Sequence, residues 1–192
     1  MAYNIKDVFY LDTEATITKA TAGAGTGQLD LSAYIDPIAR GRTKGTGLAV
    51  YKLHWSMVDA DNSGKPWDDG ESGTAQFGLI AGLGAGDNAT GAAGNVSSTA
   101  FEMGNNLLIS SGSFFGPKSQ IANASNTVSA FPNITVMPST EVPYVIVRDN
   151  ACLLYQVGEN FVDDYTLSVR LEVAQITLDQ ATLNQLLRTQ TV

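Results

Sequence analysis

The stretch Leu48-Ala49-Val50-Tyr51-Lys52-Leu53-His54-Trp55-Ser56-Met57-Val58 carries the strongest structural signal in the chain. Alternate positions Ala49, Tyr51, Leu53, Trp55 and Met57 are all apolar, whereas Leu48, Val50, Lys52, His54, Ser56 and Val58 are mixed. Successive side chains of a strand leave on opposite faces, so this period of two predicts a strand with one face in a core. Its roughly eleven residues reach about 36 Å at ~3.3 Å per residue, against about 5–6 residues for an average strand. Such length suits the long wall of a sandwich or barrel.

The same alternation returns near the C-terminus. Tyr165, Leu167, Val169, Leu171 and Val173 share one face, and Asp164, Thr166, Ser168, Arg170 and Glu172 the other. Beyond Val173 the apolar phase slips to Ile176 and Leu178, which predicts a β-bulge near Ala174–Gln175. Tyr144–Val147 and Ala151–Val157 are apolar runs flanking Arg148-Asp149-Asn150, and Asp and Asn tolerate positive φ, so a tight hairpin is expected there. Shorter strand candidates are Val8–Leu11, Ala15–Lys19, Gln28–Tyr34, Ala75–Ala81, Asn106–Ser110 and Asn133–Met137. The expectation is an all-β sandwich or closed barrel of about eight to ten strands.

One helix is expected, at the end. Thr177 and Gln180 match a capping box, and Leu183, Leu186 and Leu187 make an i, i+3, i+4 stripe that Ala181 extends, giving a short helix over 179–188. It has either its own barrel or a neighbouring subunit to dock on. The low-complexity stretch Gly82–Ser98 and the softer Ser119–Ser129 read as long surface loops, and the 192 residues as a single domain.

Charged residues make up only 16% of the chain, below the usual ~25%, so much of the surface is neutral or hidden against neighbours. Net charge is −8, a field that repels nucleic-acid phosphates. The one basic cluster, Arg40, Arg42 and Lys44, is a solvated loop rather than a genome-binding arm. A single cysteine, Cys152, excludes an internal disulfide. With no signal-peptide pattern at Met1–Lys6 and no run approaching 18 apolar residues, the expectation is synthesis in a reducing cytosol and no transmembrane segment.

Candidate chemistry is sparse. His54, the lone histidine, lacks a nearby nucleophile in sequence, and Cys152 sits in another strand, so the plain reading is a surface or interface histidine and a buried structural thiol. Gly23–Gly27 and Gly82–Gly86 lack the G-x-G-x-x-G spacing, which rejects a nucleotide site. Asp59-Ala60-Asp61-Asn62-Ser63-Gly64 begins like a D-x-D-x-S-G calcium loop, with Asp68 adding a carboxylate. Gly70 stands where the closing Glu belongs, Glu71 is one place late and Pro66 intrudes. Asp59, Asp61, Ser63 and Asp68 are therefore candidate ligands for weak calcium binding, set against an ordinary acidic hairpin loop. No other cofactor and no catalytic residue is expected.

Gln28-Leu29-Asp30-Leu31-Ser32-Ala33-Tyr34-Ile35-Asp36-Pro37, followed by Leu48–Val58, Tyr144–Val157 and Tyr165–Leu178, resembles in pattern and order the small single jelly-roll major capsid proteins, whose barrels stand upright in the shells of icosahedral prokaryotic viruses. The resemblance implies eight strands in two sheets, capsomers built from several copies, and termini that reach neighbours. It also implies a virion location, other capsid proteins as partners, and an inner face that meets a membrane or second protein layer. The expected inter-subunit arms are residues 1–20, with Val8 and Phe9 as interface residues, and the helix carrying Leu183, Leu186 and Leu187. Two other readings compete: a phage tail, spike or tube subunit, and a calcium-dependent carbohydrate-binding β-sandwich with Trp67 stacking on a sugar.

Overall fold

The computed structural model describes residues 7–21, 23–36, 44–60, 73–82, 98–115, 133–136, 138–161 and 163–190. Along the chain run β1 (Val8–Ile17), β2 (Gly23–Asp30), β3 (Lys44–Asp59), β4 (Thr74–Ala81), a 3-10 turn (Ser98–Phe101), β5 (Leu108–Phe115), β6 (Asn133–Val136), β7 (Tyr144–Ile146), β8 (Asn150–Glu159), β9 (Tyr165–Asp179) and α1 (Gln180–Thr189). They form a four-stranded sheet in the order β1-β9-β3-β7 and a five-stranded sheet in the order β2-β8-β4-β5-β6.

The pairings are nested in sequence: β1 with β9, β2 with β8, β3 with β7 and β4 with β5, all antiparallel. That is the pattern left when one long antiparallel ribbon, with its tip between β4 and β5, wraps around itself. The wrap is a jelly roll, and β6 adds a strand beside β5.

The inner faces supply the core. Val169, Leu171 and Val173 of β9 meet Phe77 and Leu79 of β4 and Leu153 of β8, all fully buried between the sheets. Trp55 ties the sheets together: its ring lies 4.7 Å from that of Phe77, and its indole N–H donates to Ser110 Oγ at 3.1 Å. At the far end Phe161 stacks between Phe114 and Tyr165.

The long strand is longer than the alternation showed, and its inward face changes midway. The β3–β9 register jumps between Val50 and Lys52, leaving Tyr51 as the extra residue. Before the jump Leu48 and Val50 face the core; after it Leu53 and Met57 do. The bulge expected near Ala174–Gln175 therefore lies across the ladder, on β3. β9 keeps its phase: its odd residues through Val173 fill the sandwich, while Ile176 and Leu178 leave from the opposite face into a second cluster with Ala49, Val147 and Leu183 of α1. The apolar pattern switched because the helix covers the outer face there. Periodicity alone cannot separate that from a bulge.

Other expectations shift as well. The two expected strands Val8–Leu11 and Ala15–Lys19 are one, β1, which ends at Ile17. The segment Arg148-Asp149-Asn150 is no hairpin, because β7 pairs with β3 and β8 with β2 and β4, so the chain changes sheets there. The strand expected over Gln28–Tyr34 lies earlier, as β2 from Gly23 to Asp30, and Leu31–Tyr34 turns after it, with Asp30 Oδ1 accepting from Ser32 N–H at 2.9 Å. β5 runs on to Phe115 instead of ending at Ser110. Thr177 is still in β9, and the helix cap is Asp179, whose Oδ1 accepts from Thr182 N–H at 2.7 Å. Ala181 is exposed and outside the docking stripe. The loops read at Gly82–Ser98 and Ser119–Ser129 fall almost wholly outside the described residues, as do Arg40 and Arg42.

Candidate functional site

The sheet β1-β9-β3-β7 turns a polar face outward. Register sets its side chains in rows: Tyr10, Glu172 and Lys52; Asp12, Arg170 and His54; Glu14, Ser168 and Ser56. Opposite charges stand side by side across the strands, which favours pairing. His54 Nε2 lies 2.8 Å from Glu172 Oε1, diagonally across the rows. Both side chains are partly exposed, so the pair contributes about 0–1 kcal/mol. All of these but Lys52 line an open concavity of about 650 Å³.

Cys152 lies on the other side of the molecule. It is fully buried with Ile80, Leu108 and Leu154 on the outer face of the five-stranded sheet. The full thickness of the sandwich separates it from His54, which removes a Cys–His pair. Of the calcium candidates, Asp59 closes β3 and is 4% exposed, whereas Asp61, Ser63 and Asp68 lie outside the described residues. Among the described residues no three His, Cys, Asp or Glu side chains gather closely enough to hold a metal ion.

The terminal residues divide. Leu183 is fully buried against its own barrel, packed with Ala49, Val147, Ile176 and Leu178, and Leu186 and Leu187 lie half-buried at the margin. The helix thus docks on its own chain. In β1, Phe9 is half-buried with its ring 5.1 Å from Tyr34, while Val8 is 56% exposed.

Sheet edges expose unpaired backbone groups, and native proteins seal them. The β7 edge is sealed by one side chain: Gln190 Nε2 donates to the Val145 carbonyl at 2.6 Å and Oε1 accepts from Val147 N–H at 3.2 Å. Arg148 Nη1 fastens the same residue by donating to the Gln190 carbonyl at 3.2 Å. Sequence reasoning missed Gln190, since a glutamine following an amphipathic stripe carries no pattern. Along β1 the seal is partial. Tyr155 Oη donates to the Thr16 carbonyl at 2.6 Å, and Thr13 Oγ1 to the Gln28 carbonyl at 3.2 Å. A Cβ on Gly27 would overlap the Glu14 carbonyl oxygen, so β2 passes against β1 there. Nothing comparable covers Val8–Asp12 among the described residues.

No helix among the described residues is long and apolar enough to cross a membrane. No family model and no curated protein matches the sequence. Among solved structures, the chain is similar to the cyanophage Pam1 capsid asymmetric unit, with 15% identity, coverage of 90% of this chain and 85% of that one, and a TM-score of 0.30. It is also similar to trichodysplasia spinulosa-associated polyomavirus VP1 in complex with GM1 oligosaccharide, with 8% identity, coverage of 88% and 94%, and a TM-score of 0.38. Those scores are low, and the fold assignment rests on this chain's own strand order. By that order and its nested pairing, the chain is a single jelly-roll β-sandwich.

Proposed function

We propose that this chain is a structural subunit that assembles with copies of itself into the coat of a virus particle. The observation that carries the reading is the single jelly-roll wrap, with its inner space filled by a continuous apolar core. The step from fold to role is an analogy of fold, since one fold hosts many functions. Surface chemistry supports it. With 16% charged residues and a mixed, near-balanced outer sheet face, the chain is suited to lateral packing against like subunits. The net charge of −8 favours an inner face that meets a membrane or second protein layer over one that binds the genome directly. Other coat proteins as partners and a virion location belong to the same reading, and it assigns no catalytic step.

The test is the mass of the purified protein by light scattering, with negative-stain imaging, in the presence and absence of calcium. Rings, capsomers or closed shells are the expected result. A protein that stays monomeric at high concentration, alone and with its candidate partner coat proteins, would overturn the reading. Attention would then turn to the concavity lined by Tyr10, Asp12 and Arg170 as a ligand site, starting with glycan binding.

A further inference from the structure

We infer that the Val8–Asp12 half of β1 is a docking edge for the same segment of a second copy, the two strands running antiparallel about Tyr10. The inference deepens the self-assembly reading and rests on it for the identity of the partner. In a strand, the N–H and C=O of one residue point to the same side and alternate from residue to residue. The Thr16 carbonyl accepts from Tyr155 Oη and the Glu14 carbonyl faces Gly27, both on the side of β1 away from β9. The even residues Val8, Tyr10 and Asp12 therefore direct their backbone groups at that same edge. There they meet no partner among the described residues.

An edge of this kind is ordinarily blunted by Lys, Pro, a bulge or a covering element. Val8-Phe9-Tyr10-Leu11 has no charge, no proline and no glycine, and its register with β9 is unbroken from Val8 to Ile17. Instead it exposes apolar surface, with Val8 56% and Tyr10 60% exposed. The contrast with the β7 edge, closed by Gln190, and with Thr13–Thr16, closed by β2 and Tyr155, marks Val8–Asp12 as the segment left for a partner.

The segment is complementary to itself. Centred on Tyr10, an antiparallel pair sets Phe9 against Leu11 of the second copy on the core side, and Tyr10 against Tyr10 on the outer side. Asp12 meets Val8, so no like charges face each other. The two four-stranded sheets become continuous, and Phe9 and Leu11, now half-buried, gain cover. This is an isologous contact of the kind twofold symmetry requires. Five residues bury far less than the ~800 Å² per partner of a stable dimer, so the contact is weak alone and fits a subunit held by several contacts at once.

The test uses the full chain with one cysteine added beside the native, buried Cys152. In an antiparallel pair centred on Tyr10, the two Tyr10 Cα atoms lie about 5.5 Å apart, inside the ~4.4–6.8 Å span of a disulfide. Mild oxidation of Tyr10→Cys is expected to give a covalent dimer on a non-reducing gel, and Val8→Cys mixed with Asp12→Cys a cross-linked pair. Phe9→Cys and Leu11→Cys alone should give little. Tyr10→Lys, at a site exposed enough to spare the fold, should lower the dimer fraction at least tenfold by placing two ammonium groups face to face. Equal cross-linking at every position, or none at Tyr10 beyond the wild-type background from Cys152, overturns the inference. Particles in negative stain without a Tyr10 cross-link would sink the edge contact and leave the coat reading standing. A cross-linked dimer that assembles no further would support the edge and count against the shell.

Discussion

Gln190 Nε2 donates to the Val145 carbonyl at 2.6 Å, so a side-chain amide at the end of α1 takes the place of a neighbouring strand on β7. With Oε1 accepting from Val147 N–H, both free-edge groups of the short strand's end are satisfied by one residue that is only 4% exposed. Helix docking and edge protection are thereby one event.

Gln190→Ala is expected to destabilise the protein by about 1–3 kcal/mol, because it leaves backbone donors and acceptors unpaired in a covered site. The Val147 amide should become the most changed position in hydrogen exchange. Gln190→Glu keeps an acceptor for Val147 N–H but cannot donate to Val145, and should not restore stability. If Val147 protection survives Gln190→Ala, Gln190 does not clamp the β7 edge.

Tyr155 joins the two sheets through its bond to the Thr16 carbonyl. Tyr155→Phe keeps the ring and removes the hydroxyl, an expected loss of about 0.5–1.5 kcal/mol. Burial raises the phenol pKa of Tyr155, and raises that of Tyr144 further, with Arg148 opposing the second shift. A raised phenol favours the neutral form in the folded state. Its contribution is complete below the ordinary value of about 10 and is lost as pH climbs toward the folded-state values. Denaturant melts from pH 9 to 12 should show stability falling, with a shallower slope in Tyr155→Phe and Tyr144→Phe. Equal slopes in all three proteins would remove the tyrosines as the cause.

The two longest strands and the docking stripe of the helix were legible in the sequence because each buries one face, and burial on one face writes a period. What hid was everything set by contact across the fold. β3 is apolar on both faces at Leu48–Val50, one toward the core and one toward α1, so alternation there assigned the wrong inward set. The helix cap moved from Thr177 to Asp179 because β9 remains paired with β3 through Asp179, at Lys44. Cys152 and His54 were ambiguous in one dimension, and only the sheet order puts them on opposite walls. Gln190 and the open half of β1 carry no local signature, since what defines an edge is the strand that is missing beside it.

Gly23–Gly27 illustrates the same limit and yields a prediction. Glycine is a poor strand residue by propensity, and its presence in β2 has a packing cause. A Cβ on Gly25 would overlap the Tyr155 ring, and one on Gly27 the Glu14 backbone carbonyl. Gly27→Ala must push β1 and β2 apart and should cost about 1–3 kcal/mol, the range for overpacking. Gly104→Ala, with open space around its Cβ position, serves as the control and should change little. Comparable melting temperatures for the two variants would refute the close approach.

Asp179 makes the helix sensitive to acid. Hydrogen bonding from Thr182, backbone first and then side chain, holds its carboxyl below the usual range, with a smaller pull from Lys44. A lowered carboxylate stabilises the folded state above its unfolded value near 4, and that contribution is lost as pH falls through the folded value. α1 should therefore loosen on acidification before the sandwich melts, because the core between the sheets contains no part of the helix. Hydrogen exchange at the Thr182 and Leu183 amides between pH 6 and 3 measures this directly. Asp179→Ala removes the cap and should raise exchange there at every pH. Asp179→Asn retains a capping oxygen without a charge, so it should keep the helix at neutral pH and flatten the acid response. If Asp179→Asn loosens as steeply as the wild type, another carboxylate governs the helix, and the cap is only structural.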